Sequence, residues 1–177
     1  MKLETEVNFS AEEQKQSRIL IQVGKELRTK RPDGLDELEA RIWESYQKNL
    51  RLKVWNRPGP ELREADTELV ALYDKQRKLL RTVSRERGVV QKKLIDLLDP
   101  IIHRCVFAIE IGLKRIKAHS DRGGVNRDSK ALTRILENYR GEIYTLSGSS
   151  VEAIQDAWNR MVKEIGPLDF TYPEIID

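Results

Sequence analysis

Apolar side chains recur in steps of three and four along most of the chain, and they group into stripes that each cover one side of a helix. Ser10-Ala11-Glu12-Glu13 has the spacing of a capping box, in which the serine hydroxyl accepts from the Glu13 amide and the Glu13 carboxylate turns back to the Ser10 amide. Ile19, Leu20, Val23 and Leu27 follow at helical spacing until Lys30-Arg31-Pro32-Asp33-Gly34 forces a turn. A second stripe of Leu35, Leu38, Ile42, Tyr46 and Leu50 ends near Trp55-Asn56-Arg57-Pro58-Gly59-Pro60, the strongest breaker in the sequence.

From Leu62 the apolar positions alternate between steps of three and four: Leu62, Ala65, Leu69, Leu72, Gln76, Leu79 and Val83 form an a/d seam with one polar member. The seam spans about three heptads, so it predicts packing inside a bundle rather than a free-standing coiled coil. Gly88 weakens the helix, and a stripe of Val90, Leu94, Leu97 and Leu98 leads into Asp99-Pro100. That pair reads as an N-cap and a first-turn proline opening a new helix, with a kinked continuous helix as the alternative. The segment from Pro100 to His119 is the most apolar, and His103, Glu110, Lys114 and Lys117 fall on one narrow polar stripe of it. Ile102, Val106, Ile109 and Leu113 are therefore expected in the core.

After a polar loop, Ser120 to Arg127, a short helix is expected from an Asp128 cap, carrying Leu132, Ile135, Leu136 and Tyr139 and closed by Gly141. Residues 142–148 read as a turn with one extended segment. Ser149-Ser150-Val151-Glu152 then offers a second capping box for a last helix with Val151, Ile154, Trp158, Met161, Val162 and Ile165, stopped by Gly166-Pro167. The pattern predicts an all-α helical bundle of about five to seven helices, with a central apolar helix near residues 100–119. It divides the chain into a flexible N-terminus (1–9), one helical-bundle domain (10–167) and a C-terminal tail (168–177).

Composition narrows the class. The 177 residues are 39% hydrophobic and 34% charged, too rich in Leu, Ile and Val for a disordered chain and long enough to bury a core without disulfides. The single cysteine, Cys105, lies in an apolar run, which points to a reducing, cytoplasmic setting. The N-terminus lacks the apolar stretch of a secretory signal, and the apolar run 106–113 is broken by Glu110 and too short to span a bilayer. Net charge is +3, from 32 basic and 29 acidic residues, so no strong polyanion preference follows from the total.

Candidate chemistry is sparse. The seam helix and its continuation carry Lys75, Arg77, Lys78, Arg81, Arg85, Arg87, Lys92 and Lys93, and a second basic group holds Arg122, Arg127, Lys130 and Arg134. Such runs can touch successive phosphates, which makes Lys75, Lys78, Arg81, Arg85, Lys92, Lys93, Arg122 and Arg127 nucleic-acid-binding candidates; the interleaved Asp74, Glu86 and Asp96 fit a solvated face instead. Arg122-Gly123-Gly124 and Arg127 could cradle an anion ahead of a helix, but the spacing of a P-loop is absent and no strand precedes them.

For catalysis, His103 and His119 lie sixteen residues apart, about 24 Å along a straight helix, too far to share a site. Arg115 and His119, at i,i+4, resemble the Arg-and-His pair of small helical HEPN-type ribonucleases with a spacing one residue short; the alternative is a histidine favoured by the helix C-terminus. Glu110 is either a buried carboxylate or the i,i+4 partner of Lys114. No spacing points to a metal ligand set, a cofactor or a nucleophile, so an enzyme would need a dispersed site.

The leading expectation is a protein–protein interaction module that self-associates, with Trp55, Leu69, Leu72, Tyr73 and Leu79 as interaction residues. The seam helix has more apolar circumference than one neighbour covers, since Val70, Tyr73 and Leu80 lie off the seam. The alternatives are a nucleic-acid-associated helical protein using the basic 75–93 segment, and the dispersed enzyme.

Overall fold

A computed structural model describes residues 7–55, 59–122 and 128–168. It is all-α, with five helices and no strand among the described residues: α1 (Ala11–Thr29), α2 (Leu35–Val54), α3 (Pro60–Asp121), α4 (Ser129–Thr145) and α5 (Val151–Ile165). The chain divides into two compact units, one of Met1–Gln22 with Gln91–Asp177 and one of Val23–Val90, so α1 and α3 each contribute to both.

The larger unit holds the main core. The Ser10 capping box forms as the spacing predicts: the Glu13 amide donates to Ser10 Oγ and the Ser10 amide to Glu13 Oε2, both at 3.1 Å. Glu13 also accepts from Arg104 at 2.8 Å, which ties the start of α1 to α3. Leu98, Ile101, Cys105 and Ile109 of α3 are fully buried against α4 and α5, where Leu132, Leu136, Ile143, Ile154 and Met161 are also fully enclosed. Val7 and Phe9 from the N-terminal side and Leu168 from the C-terminal side pack on the same cluster.

Several local expectations give way to this packing. α3 runs unbroken through Pro100, so no new helix starts there. The proline leaves the Asp96 carbonyl without its usual donor and costs about 3 kcal/mol. Fully burying Leu98, Ile101 and Ile102 around it returns roughly 1.5–3 kcal/mol per side chain, which decides for continuity. Likewise α4 does not stop at Gly141 and no extended segment follows; the helix continues to Thr145 because Ile143, fully buried one turn beyond Tyr139, completes the stripe from Leu132 and Leu136. The cap of α5 is Ser150, whose hydroxyl accepts from the Ala153 amide at 3.0 Å. Glu152, one position too early to close a box with it, binds Arg18 of α1 at 2.5 Å instead. Gly148 precedes this start at φ 87, and a Cβ there would lie 3.0 Å from the Gln91 side chain. Of the four central-helix residues expected in the core, Ile102, Val106 and Ile109 are buried and Leu113 is half-buried.

Within the Val23–Val90 unit, α2 runs antiparallel to the first half of α3. Asn49 Nδ2 donates to Asp66 Oδ1 at 2.5 Å near the connection, and Leu38 and Ile42 meet Leu72, with Leu69 and Leu79 beside them, further along. Arg87 closes the far end by donating to the carbonyls of Leu27 and Arg28, the last turn of α1, at 2.7 and 3.0 Å. The side of α2 that faces α3 differs from the expected stripe. Leu35, Leu38, Ile42, Ser45 and Asn49 are buried, whereas Tyr46 and Leu50 are exposed. Asn49 repays its burial through Asp66; Ser45 Oγ has no hydrogen-bond partner among the described residues.

Candidate functional surfaces

The seam of α3 is placed as its spacing predicts: Ala65, Leu72 and Val83 are buried, and Leu62, Leu69, Gln76 and Leu79 are half-buried. What the seam leaves outside is the notable feature of the hairpin. Trp43, Tyr46, Leu50 and Val54 recur in steps of three and four along α2 and are all exposed, as are Val70, Tyr73 and Leu80 on α3. Viewed from each helix N-terminus, both rows lie on the same rotational flank of their buried stripes. Reversing one of two right-handed helices brings such flanks to one side, so the two rows share one face of the hairpin. Trp43 and Tyr46 stack with ring centroids 6.1 Å apart, and Trp55, 76% exposed, stands at the end of α2. Among the expected interaction residues, Trp55 and Tyr73 are therefore exposed on the hairpin, Leu69 and Leu79 line its edge, and Leu72 is inside it.

The basic candidates are dispersed. Lys75, Lys78, Arg81 and Arg85 are exposed on α3 in the hairpin unit, with Lys78, Arg81 and Arg85 on the side opposite the seam; Lys92 and Lys93 are exposed in the other unit. Arg77 is held by Asp74 at 3.8 Å, and Arg87 is consumed by the α1 carbonyls. Arg122 is exposed just past α3, and Arg127 and the glycines of the anion-loop expectation lie outside the described residues.

A denser basic region lies in the larger unit, in an open groove of about 690 Å³ between the last turns of α3 and the side of α4 from Ser129 to Arg140. Lys114 and Lys117 on α3 and Lys130, Arg134 and Arg140 on α4 line it, with Asp121 and Glu137 as the acidic members. Leu113 and Ile116 form part of its floor. The spacing puts Lys114 and Lys117 on the narrow polar stripe of the central helix and Lys130 with Arg134 in a separate cluster; only the packing of α4 on α3 joins them.

Features with catalytic potential are quiet. Arg115 and His119 are half-buried near the end of α3, and His103 is exposed with its Nδ1 2.7 Å from the Asp99 carbonyl oxygen. Burial pushes the Cys105 thiol up to about 12, away from the reactive thiolate. On α4 and α5, Tyr139 donates to Glu164 at 2.5 Å, and Arg160 sits over the Tyr139 ring and pairs with Glu142. The Glu164 hydrogen bond and burial hold the tyrosine above its usual range, so it stays a neutral donor that ties the two helices. Among the described residues no three His, Cys, Asp or Glu side chains gather as a metal site would need, and no helix is long and apolar enough to cross a membrane.

No protein-family description, curated protein or solved structure matches the chain, so its functional reading rests on these surfaces.

Proposed function

We propose that this protein is a protein–protein interaction module that self-associates through the aromatic face of its α2–α3 hairpin. The supporting observation is an imbalance: the Val23–Val90 unit leaves more large apolar side chains exposed than it buries, and seven of them form the two rows on one face. Scaled by their fractional exposures, the two rows present on the order of 700–800 Å². That approaches the ~800 Å² each partner gives a standard interface and exceeds the roughly 300–600 Å² of a typical monomer's largest patch. A second copy is the occupant that fits. A two-helix face laid on its twin about a twofold axis makes a four-helix arrangement, with each aromatic row covered by the same surface. The hairpin's own charges, Asp66 and Arg77 among them, are of both signs and favour no strongly charged partner.

Sedimentation equilibrium across micromolar concentrations tests the reading. The wild type is expected to dimerise, and Trp43→Asp and Tyr73→Asp, both at exposed positions, are expected to be monomeric with unchanged helix content. A wild type that stays monomeric throughout overturns it.

A further inference from the structure

Among the described residues the groove between α3 and α4 gathers five cations against two carboxylates, an excess of three positive charges. The whole 177-residue chain carries only +3, so a local excess of that size in one concave site is dense for this protein. Charge runs on single helices are ordinarily solvated faces in which neighbouring acids cancel the bases. Here Lys114, Lys117, Lys130, Arg134 and Arg140 come from two helices, converge on one volume and form no ion pair among the described residues. Like charges brought together without partners raise the local potential, and a concave low-dielectric wall focuses it.

From this convergence of unpaired cations we propose that the α3–α4 groove binds a condensed phosphate, a di- or triphosphate group that is either inorganic or carried on a nucleoside. The volume of about 690 Å³ accommodates a group of that size but not a folded macromolecule. Three to four negative charges match the surplus, and the guanidiniums of Arg134 and Arg140 supply forked donors for phosphate oxygens. Ser120 and Ser129 add hydroxyls to its lining. Among the described residues no aromatic side chain lines the groove, so the stacking platform that a single nucleic-acid strand uses is not found there.

Isothermal titration of the full chain with sodium tripolyphosphate, ATP and a single-stranded oligonucleotide tests this. Tripolyphosphate is expected to bind, and Arg134→Glu and Lys117→Glu, at exposed positions, to weaken it by about tenfold or more. Arg81→Glu/Arg85→Glu, which changes net charge on the other unit, is expected to leave the affinity within about twofold at the same salt. ATP binding equal to tripolyphosphate assigns the site to phosphate alone; markedly tighter ATP binding assigns it to a nucleoside polyphosphate. The proposal is overturned by an absence of tripolyphosphate binding at millimolar concentration, by equal losses in the groove and control variants, or by oligonucleotide binding that tripolyphosphate does not displace. The groove and the hairpin face share no residue, and oligomeric state does not enter the readout.

Discussion

Ile109 and Cys105 lie one turn apart on α3 and are both fully enclosed, yet burial acts on them differently. For Ile109 it is purely favourable, and Ile109→Ala should lower the unfolding free energy by about 2–5 kcal/mol through lost transfer energy and the cavity left behind, measurable by urea denaturation. Cys105 is also a titratable group. Desolvation pushes its thiol up to about 12, with the Arg104 charge opposing, while the unfolded thiol ionises near ~8.5. The folded form therefore holds the proton more tightly. Its contribution is complete below pH ~8.5 and is lost as pH rises from there toward about 12, at up to about 1.4 kcal/mol per pH unit. Wild type should lose urea resistance in that window more steeply than Cys105→Ala; parallel curves would show that the thiol stays accessible to ionisation in the folded protein.

At the scale of elements, glycines separate helix interiors from turns. Gly141 sits inside α4 with no atom near its missing Cβ, so Gly141→Ala should stabilise by about 0.5–1 kcal/mol in thermal unfolding. Were it the helix terminator that its sequence position implies, the same change would be unfavourable. Gly34, at the start of α2 with φ 76, has equal space but a left-handed backbone, and Gly34→Ala should destabilise by about 1 kcal/mol. The opposite signs at two uncrowded positions isolate backbone conformation from packing. The α2–α3 hairpin adds a polar lock: the Asn49 hydrogen bond, with Lys53 at 3.5 Å, holds Asp66 below the usual carboxylate range.

For the molecule as a whole, the two units differ in what holds them. Among the described residues nineteen buried ones form the main cluster of the larger unit, whereas the hairpin cluster has three. Local opening free energies follow buried contacts, so hydrogen exchange at low protein concentration should be slowest over residues 98–109, 132–143 and 154–161 and markedly faster in α2. Raising the concentration should slow exchange in α2 of the wild type but not of Tyr73→Asp, as association covers the hairpin face. Equal protection of both units at low concentration would mean that the small cluster holds the hairpin on its own.

Periodicity alone determined the all-α fold, the capping box at Ser10, the seam from Leu62 to Val83 and most of the core around Ile109, because each depends on contacts a few residues apart. Pro100 and Gly141 were misleading for the complementary reason: a local breaker costs only about 1–3 kcal/mol, and burial of Leu98, Ile101 and Ile143 by distant segments exceeds it. The same limit applies to the surfaces. Tyr46 and Leu50 have the spacing of core residues, and only the rotation of α2 against α3 turns Ser45 and Asn49 inward and leaves the aromatics outside. The basic groove is likewise invisible in the chain order, since Lys117 and Arg134 become neighbours only when α4 packs on α3. Helix identity is written in short-range spacing; which face of a helix meets solvent is fixed by the partner it packs against.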